Sequence, residues 1–143
     1  MRDTPCQGTY LLAQRRHLTE CARDLADLRE LVRKRPWSRL EQRAAERTLQ
    51  IVLTACIGLA KHWARTETGQ VCRDAVTSFE RLRDAGKVDS HMPWRKIIGL
   101  RNVLVHDYLD VDPEIVKSVI DHQHYRTMID FGHQALAALE RVE

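Results

Sequence analysis

The sequence predicts an all-α protein, an up-and-down bundle of four to five helices. Apolar residues recur at helical spacings of three, four and seven over nearly the whole chain. No segment shows the sustained two-residue alternation of a half-buried strand, and no Asn-Gly or similar hairpin dipeptide is present. Short polar breaks with capping residues separate the periodic segments, as in bundles whose helices are joined by short connections.

The first two helices are predicted from apolar stripes and from one well-formed start signal. The first stripe comprises Leu11, Leu18, Cys21, Leu25, Leu28 and Val32. After a break at Pro36, Ser38 opens the second helix, and Glu41 three residues later completes a capping box. The second stripe is broader, so we expect this helix to be buried against more than one neighbour before Gly69 ends it.

Glycine and proline mark the boundaries of the remaining helices. A short third helix is expected to end at Gly86, which is placed for a left-handed C-terminal cap. Pro93 marks the entry to a fourth helix. Asp112 followed by Pro113 gives an acceptor cap and a first-turn proline, which predicts one last helix running through Leu139.

Length and composition indicate a single helical domain, residues 1–143. With 43% hydrophobic residues, the chain can build a core without disulfides or a structural metal. The 23 basic and 20 acidic residues give a net charge of +3, which permits an RNA substrate without implying one.

Neither a metal site nor a cofactor is predicted. The cysteines at positions 6, 21, 56 and 72 form no C-x-x-C pair and match no zinc spacing. His122 and His124 are two residues apart, so a helix would turn them about 200° away from each other. Three of the cysteines lie in apolar helical patterns, which indicates free thiols in a reducing, cytoplasmic location. The sequence shows no signal peptide and no apolar run of about 18 residues, so no membrane span is expected.

Residues 101–108, hereafter the octet, are the strongest functional signal. They read Arg-Asn-Val-Leu-Val-His-Asp-Tyr at the end of an apolar-periodic segment. Arg101 offers a permanently charged planar fork that suits phosphate, and His106 can give or take a proton near neutral pH. These two groups suffice for metal-free cleavage of an RNA phosphodiester, since RNA carries its own nucleophile in the 2′-hydroxyl.

Helical geometry does not aim the two groups at one point. Five residues separate Arg101 from His106, so they lie about 140° apart around a straight helix. Either the helix ends near His106 and releases its side chain, or two copies of the octet face each other across a twofold axis. We favour the homodimer, because it doubles the charge over one shared cleft.

The other polar residues of the octet have supporting interpretations. Asn102 is expected to fix a phosphate or hold the histidine, or to be merely structural. Asp107 is a solvated residue or a histidine orienter. Tyr108 can stack on a base, donate a hydrogen bond from its hydroxyl, or simply pack. The corresponding structural interpretation makes Arg101 a surface ion-pairing residue and His106 a helix-end histidine that bonds a carbonyl.

The octet resembles the R-x4-H-x-Y signature of the HEPN superfamily, specifically the HepT-like toxins. Residues 92–100, Met-Pro-Trp-Arg-Lys-Ile-Ile-Gly-Leu, are similar to that family's lead-in to the motif. Residues 108–112, Tyr-Leu-Asp-Val-Asp, are similar to its turn into the last helix, and residues 74–86 also have the family's pattern. The likeness covers about residues 45–135.

The resemblance implies a metal-independent endoribonuclease toxin of a type VII-like toxin–antitoxin system. Its catalytic residues would be Arg101 and His106, with Asn102 as the polar residue after the arginine, in a cleft between two subunits. The usual partner of such toxins is a minimal nucleotidyltransferase antitoxin, which can transfer AMP to the motif tyrosine, here Tyr108. A nucleotide attached beside the cleft would add negative charge and bulk where RNA must lie.

One departure from the family pattern keeps other functions open. Many relatives carry a glutamate near the position of Thr54, and Glu46 lies two helical turns away from it. The main alternative is a non-catalytic module that binds a nucleotide or a partner enzyme. A second alternative is a structural dimerisation bundle in which the octet only packs.

Overall fold

The computed structural model describes residues 4–142, and the side chains of residues 8–141. It is built of α1 (Thr4–Lys34), α2 (Arg39–Thr68), α3 (Ala75–Asp84), α4 (Trp94–His106), a 3₁₀ turn (Tyr108–Asp110), α5 (Pro113–Asp121) and α6 (Tyr125–Val142). No strand occurs within residues 4–142, and the predicted all-α bundle is confirmed. Within the same residues, no helix is long and apolar enough to cross a membrane.

The predicted capping box starts α2. The Ser38 hydroxyl accepts from the Glu41 backbone N–H at 3.1 Å, and the Glu41 carboxylate accepts from the Ser38 N–H at 2.8 Å. The same carboxylate binds Arg35 at 2.7 Å, and these bonds lower the pKa of Glu41 to about 2. Gly69 ends the helix in the left-handed conformation, as its position predicted.

The last predicted helix is divided into two, so residues 4–142 form six α-helices rather than four or five. The break is a Schellman motif, in which His124 N–H donates to Val119 O and Gln123 N–H donates to Ile120 O. It places Gln123 in the left-handed region at φ 59°. Glutamine rarely adopts this conformation, which costs about 1–2 kcal/mol. The sequence at this break therefore contains no signal that a helix ends there. At Gly86 the same motif occurs with the expected residue.

The core is organised around α2, which packs against α1, α3, α4, α5 and α6. This confirms the expectation drawn from its broad stripe. Its buried residues are Ala45, Leu49, Val52, Leu53, Cys56, Ile57, Leu59, Ala60, Trp63 and Ala64. A helix buried over this much of its surface gives the others a common support.

Two anchors position the helices around the octet. At the start of α4, the Trp94 ring stacks on Phe79 with an interplanar angle of 3° and a centroid distance of 6.0 Å. At the end of α5, the Asp121 carbonyl accepts from Arg29 Nε at 2.8 Å, and its carboxylate pairs with Arg33 at 2.8 Å. α4 is thereby tied to α3, and α5 to α1.

Cys56 is expected to resist alkylation in the folded protein. Its thiol donates to the Met128 carbonyl at 3.0 Å, and burial raises its pKa to about 12 from 9.0. Almost no thiolate is therefore present at pH 8, and only the thiolate reacts. The buried thiol's contribution to stability is fully present below pH 9.0 and is lost as the pH rises toward about 12.

Iodoacetamide labelling followed by peptide mass analysis measures this directly. Cys56 should label only at the rate of global unfolding, and denaturant should expose it fully. Labelling at pH 8 at the rate of a free thiol would contradict the assignment of Cys56 to the core.

Candidate active site

The octet lies on the last six residues of α4 and on the turn that follows. The helix ends at His106, and the Asp107 N–H caps it by donating to Val103 O at 2.9 Å. Tyr108 then opens the 3₁₀ turn, in which Asp110 N–H donates to Asp107 O at 2.8 Å. The octet therefore lies at the C-terminal end of α4.

Arg101 is oriented by its neighbour. Its Nε donates to the Asn102 side-chain oxygen at 2.9 Å, and no other hydrogen bond or ion pair links it to the described residues. The two terminal nitrogens of the guanidinium therefore keep their donors for a ligand, in the fork geometry that binds phosphate bidentately. Asn102 thus contacts Arg101, whereas the sequence suggested that it fixes a phosphate or holds the histidine.

His106 and Asp107 are both exposed at the end of α4. Among the described residues, no hydrogen bond joins either side chain to a partner, and none joins His106 to Arg101. Arg101 and His106 are both within α4, so the predicted angle of about 140° between them persists. One chain alone thus presents the arginine and the histidine on different faces of one helix.

Tyr108 stands beside a small polar cavity between α2 and the end of α4. The ring is 66% exposed. The cavity has a volume of about 270 Å³. From the α2 side it is lined by Arg43, Glu46, Arg47 and Gln50, and from the octet side by Leu104, Val105 and Tyr108. Arg101 precedes Leu104 and Val105 by three and four residues, so it shares their face of α4.

An apolar groove lies on the other side of the α4 end, between α4, α5 and α6. Its volume is about 720 Å³, and it adjoins the polar cavity, since Val111 lines both. Leu100, Val103 and Ile115 are among the residues that line it. Ile115 is 51% exposed, and nearby in sequence Leu109 is 84% exposed. The octet therefore stands between a polar cavity and a large apolar surface.

Glu46 and Thr54 occupy different surroundings on α2. Thr54 is exposed and lines neither cavity, whereas Glu46 lines the polar cavity beside Tyr108. The Glu46 carboxylate accepts from the Gln42 amide at 2.8 Å. Glu46 is thus the carboxylate of α2 that lies beside the octet.

The predicted divergence of His122 and His124 is wrong. The helix break at Gln123 brings their rings to a centroid distance of 5.8 Å, at an interplanar angle of 56°. His122 also contacts the Ser118 hydroxyl at 3.2 Å. Within the part of the chain that the structure describes, no group of three or more His, Cys, Asp or Glu side chains is arranged to hold a metal ion.

Sequence reasoning missed the arginines of the polar cavity. Arg39, Arg43 and Arg47 recur every four residues, which places three like charges along one face of α2. Like-charge pairs at this spacing destabilise a helix slightly, so the repeat was a sign in the sequence that these arginines do not serve helix stability. What the sequence did not show is that this face meets Tyr108.

The helical bundle and the octet at its end define the class of protein as HEPN-like. A family model described as ribonuclease HepT-like matches residues 17–134. The chain therefore belongs to the HepT-like ribonuclease family.

The chain also resembles a relative and two solved structures. The chain is 32% identical over 76 residues to the mRNA nuclease HepT of Shewanella oneidensis, a match that covers 52% of this chain and 57% of that relative. It resembles a crystal structure of a toxin–antitoxin with AMP-PNP, with a TM-score of 0.71, 21% identity, and coverage of 87% and 96% of the two chains. It also resembles the tri-AMPylated Shewanella oneidensis HEPN toxin in complex with MNT antitoxin. There the TM-score is 0.71, the identity 20%, and the coverage 92% and 96%. At these identities the structural likeness establishes the fold alone.

Proposed function

We propose that this protein is a metal-independent endoribonuclease toxin of a type VII-like toxin–antitoxin system. The observation that carries the proposal is the end of α4, where Arg101 keeps its terminal guanidinium nitrogens for a ligand and His106 is exposed. Membership of the HepT-like family and the relative named as an mRNA nuclease support the same activity.

The chemistry uses the substrate's own 2′-hydroxyl as the nucleophile. A neutral His106 imidazole accepts the hydroxyl proton while the oxygen attacks the adjacent phosphorus in line. A second, protonated imidazole donates a proton to the departing 5′-oxygen, which leaves a 2′,3′-cyclic phosphate and a 5′-hydroxyl. The Arg101 fork stabilises the charge that grows on the phosphorane oxygens. Acid–base assistance of this kind contributes about 10² to 10⁴ in rate.

A homodimer supplies the second imidazole and brings the two residue types together. Within one chain, Arg101 and His106 diverge by about 140°, and a twofold axis beside α4 lets the arginine of one subunit approach His106 of the partner subunit. The apolar groove and the exposed Ile115 and Leu109 give such an association an apolar surface to bury. Asp107, adjacent to the histidine, orients its ring in the assembled site.

The proposed antitoxin is a minimal nucleotidyltransferase that transfers AMP to the Tyr108 hydroxyl. Two observations support this partner. Tyr108 is 66% exposed at the edge of the polar cavity, where an enzyme can reach it. A similar fold occurs in a tri-AMPylated toxin in complex with MNT antitoxin. The attached phosphodiester would lie where RNA must bind, which blocks the cleft.

The proposal treats residues 1–143 as one HEPN-like domain in the cytoplasm. The helices of residues 4–142 share one hydrophobic core, which supports a single unit. Cys21, Cys56 and Cys72 are free and buried, as suits a reducing compartment, while the side chain of Cys6 lies outside those described.

RNA cleavage is expected to continue in excess chelator and to require His106. The purified protein would be assayed on RNA with EDTA across pH 5 to 9, beside a His106→Ala variant. Activity that a chelator leaves unchanged, and that the variant lacks at every pH, supports the ribonuclease. Cleavage that stops in chelator and returns with a divalent ion contradicts metal independence. No cleavage at all favours the binding module, the alternative that the exposed, uncharged Thr54 supports.

A further inference from the structure

We propose that Arg43 and Arg47 of α2 form, with Tyr108, a subsite for a nucleotide phosphodiester. The inference rests on the proposed nucleotide chemistry of the octet, and extends it to an element that the motif does not include. The ligand is a phosphodiester in either of two places, in the backbone of an RNA substrate or in a nucleotide attached to the Tyr108 hydroxyl.

The first support is unpaired charge. Arg43 and Arg47 are exposed, and no hydrogen bond or ion pair joins either of them to the residues that the structure describes. Other arginines of the same chain do have carboxylate partners, as Arg15 has Glu140 at 2.7 Å. The nearest acids in sequence are engaged elsewhere, since Glu41 binds Arg35 and Glu46 accepts from Gln42. Two guanidinium groups are thus left side by side with all their donors available.

The second support is the shape of the site. The two arginines line one wall of the polar cavity, and the Tyr108 ring lines another. A volume of about 270 Å³ admits a phosphate with part of its sugar. A phosphate on or near the Tyr108 hydroxyl therefore enters a space that two guanidinium forks already border. Glu46 and Gln50 line the same cavity and offer acceptors and donors for sugar hydroxyls.

The third support is continuity with the candidate catalytic group. Arg101 shares the α4 face of Leu104 and Val105, which line the cavity from the octet side. On α2, Arg39 extends the arginine repeat by one more turn away from the cavity. A strand whose phosphate binds Arg101 can therefore place a neighbouring phosphate at Arg47 or Arg43, and follow the repeat outward.

The first arm of the test measures binding of an RNA that cannot be cleaved. A fluorescent single-stranded RNA with 2′-O-methyl groups lacks the nucleophile, so binding is independent of catalysis. Arg43→Ala/Arg47→Ala should lower its affinity about tenfold or more at low salt. The slope of log affinity against log salt should fall by about 1.4, at ~0.7 for each lost phosphate contact. The matched control is Arg16→Ala/Arg23→Ala, which removes the same charge from exposed sites on α1.

The second arm measures protection of an attached nucleotide. The protein is produced with a nucleotidyltransferase and then treated with a phosphodiesterase, and loss of the nucleotide is followed by intact mass. The parental protein and the control should lose it slowly, because the phosphodiester is held. Arg43→Ala/Arg47→Ala should lose it several times faster, and Arg43→Lys/Arg47→Lys should be intermediate, since it keeps charge but loses the planar fork.

The two arms separate the sources of the phosphodiester. An effect in binding alone assigns the subsite to RNA, an effect in protection alone assigns it to the nucleotide on Tyr108, and both effects show that the two compete for it. If Tyr108 is never modified, the first arm still decides. The inference is overturned if the double alanine variant, folded by circular dichroism, matches the α1 control in both arms.

Discussion

Replacing Arg101 or His106 with alanine is expected to abolish RNA cleavage and growth inhibition while leaving the helical fold intact. Removal of the acid–base group is expected to cost about 10² to 10⁴ in rate, and loss of the charge-stabilising fork a comparable factor. The folded state loses little, because His106 is exposed and the bond that Arg101 makes among the described residues goes to its exposed neighbour Asn102. Cleavage rates, colony counts after induction, and thermal melts are the measurements.

The matched controls are Arg23→Ala and His17→Ala, which remove the same side chains from exposed positions on α1. Both should cleave RNA at the parental rate. Parental activity in Arg101→Ala or His106→Ala would end the catalytic assignment. A lower melting temperature in the double variant Arg101→Ala/His106→Ala, with no activity in the parent to lose, would favour the structural dimerisation bundle.

Mixing the two inactive variants tests whether the site is shared between subunits. If Arg101 of one subunit acts with His106 of the partner subunit, a mixed dimer of Arg101→Ala and His106→Ala keeps one such pair, although it lacks the second imidazole. Refolding the variants together should then restore part of the activity. If both residues act from the same chain, each subunit lacks one group and the mixture stays inactive.

The sequence predicted those parts of the fold that depend on local signals. The bonds between Ser38 and Glu41, the left-handed Gly69, and the Asp112 side chain that caps α5 by accepting from Glu114 N–H are all as expected. Each depends on residues within a few positions of one another, where side-chain type determines the hydrogen bond. The break at Gln123 has no such local signal, because glutamine does not favour a left-handed backbone. The packing of both α5 and α6 against α1 and α2 has to select it.

The candidate site also has one part that the sequence predicted and one part that it did not. The octet is contiguous, so its chemistry and its helical angles could be read from the sequence alone. The polar cavity joins residues that are about sixty positions apart, Arg43 and Arg47 with Tyr108, and only the packing of α2 against α4 shows that they meet. The likeness to the HepT-like family, confirmed by the family model, pointed to the octet and not to Arg43 and Arg47.

Replacing Tyr108 with phenylalanine is expected to leave the proposed toxin active but beyond the reach of the proposed antitoxin. Phenylalanine keeps the ring, and so any stacking on a base, but lacks the hydroxyl that accepts a nucleotide. With a nucleotidyltransferase present, the parental protein should gain about 329 Da for each AMP unit, and Tyr108→Phe should gain nothing. Cells should therefore survive the parental toxin with the antitoxin, and be inhibited by the variant.

Tyr10→Phe is the matched control, because Tyr10 is also an exposed tyrosine, at 37%, but lies on α1. This variant should be modified and neutralised like the parent. If Tyr108→Phe still gains mass, another residue accepts the nucleotide. If Tyr108→Phe gains no mass and is still neutralised, the antitoxin acts by binding rather than by modifying the protein. Arg43 and Arg47, beside Tyr108, would then bind RNA alone.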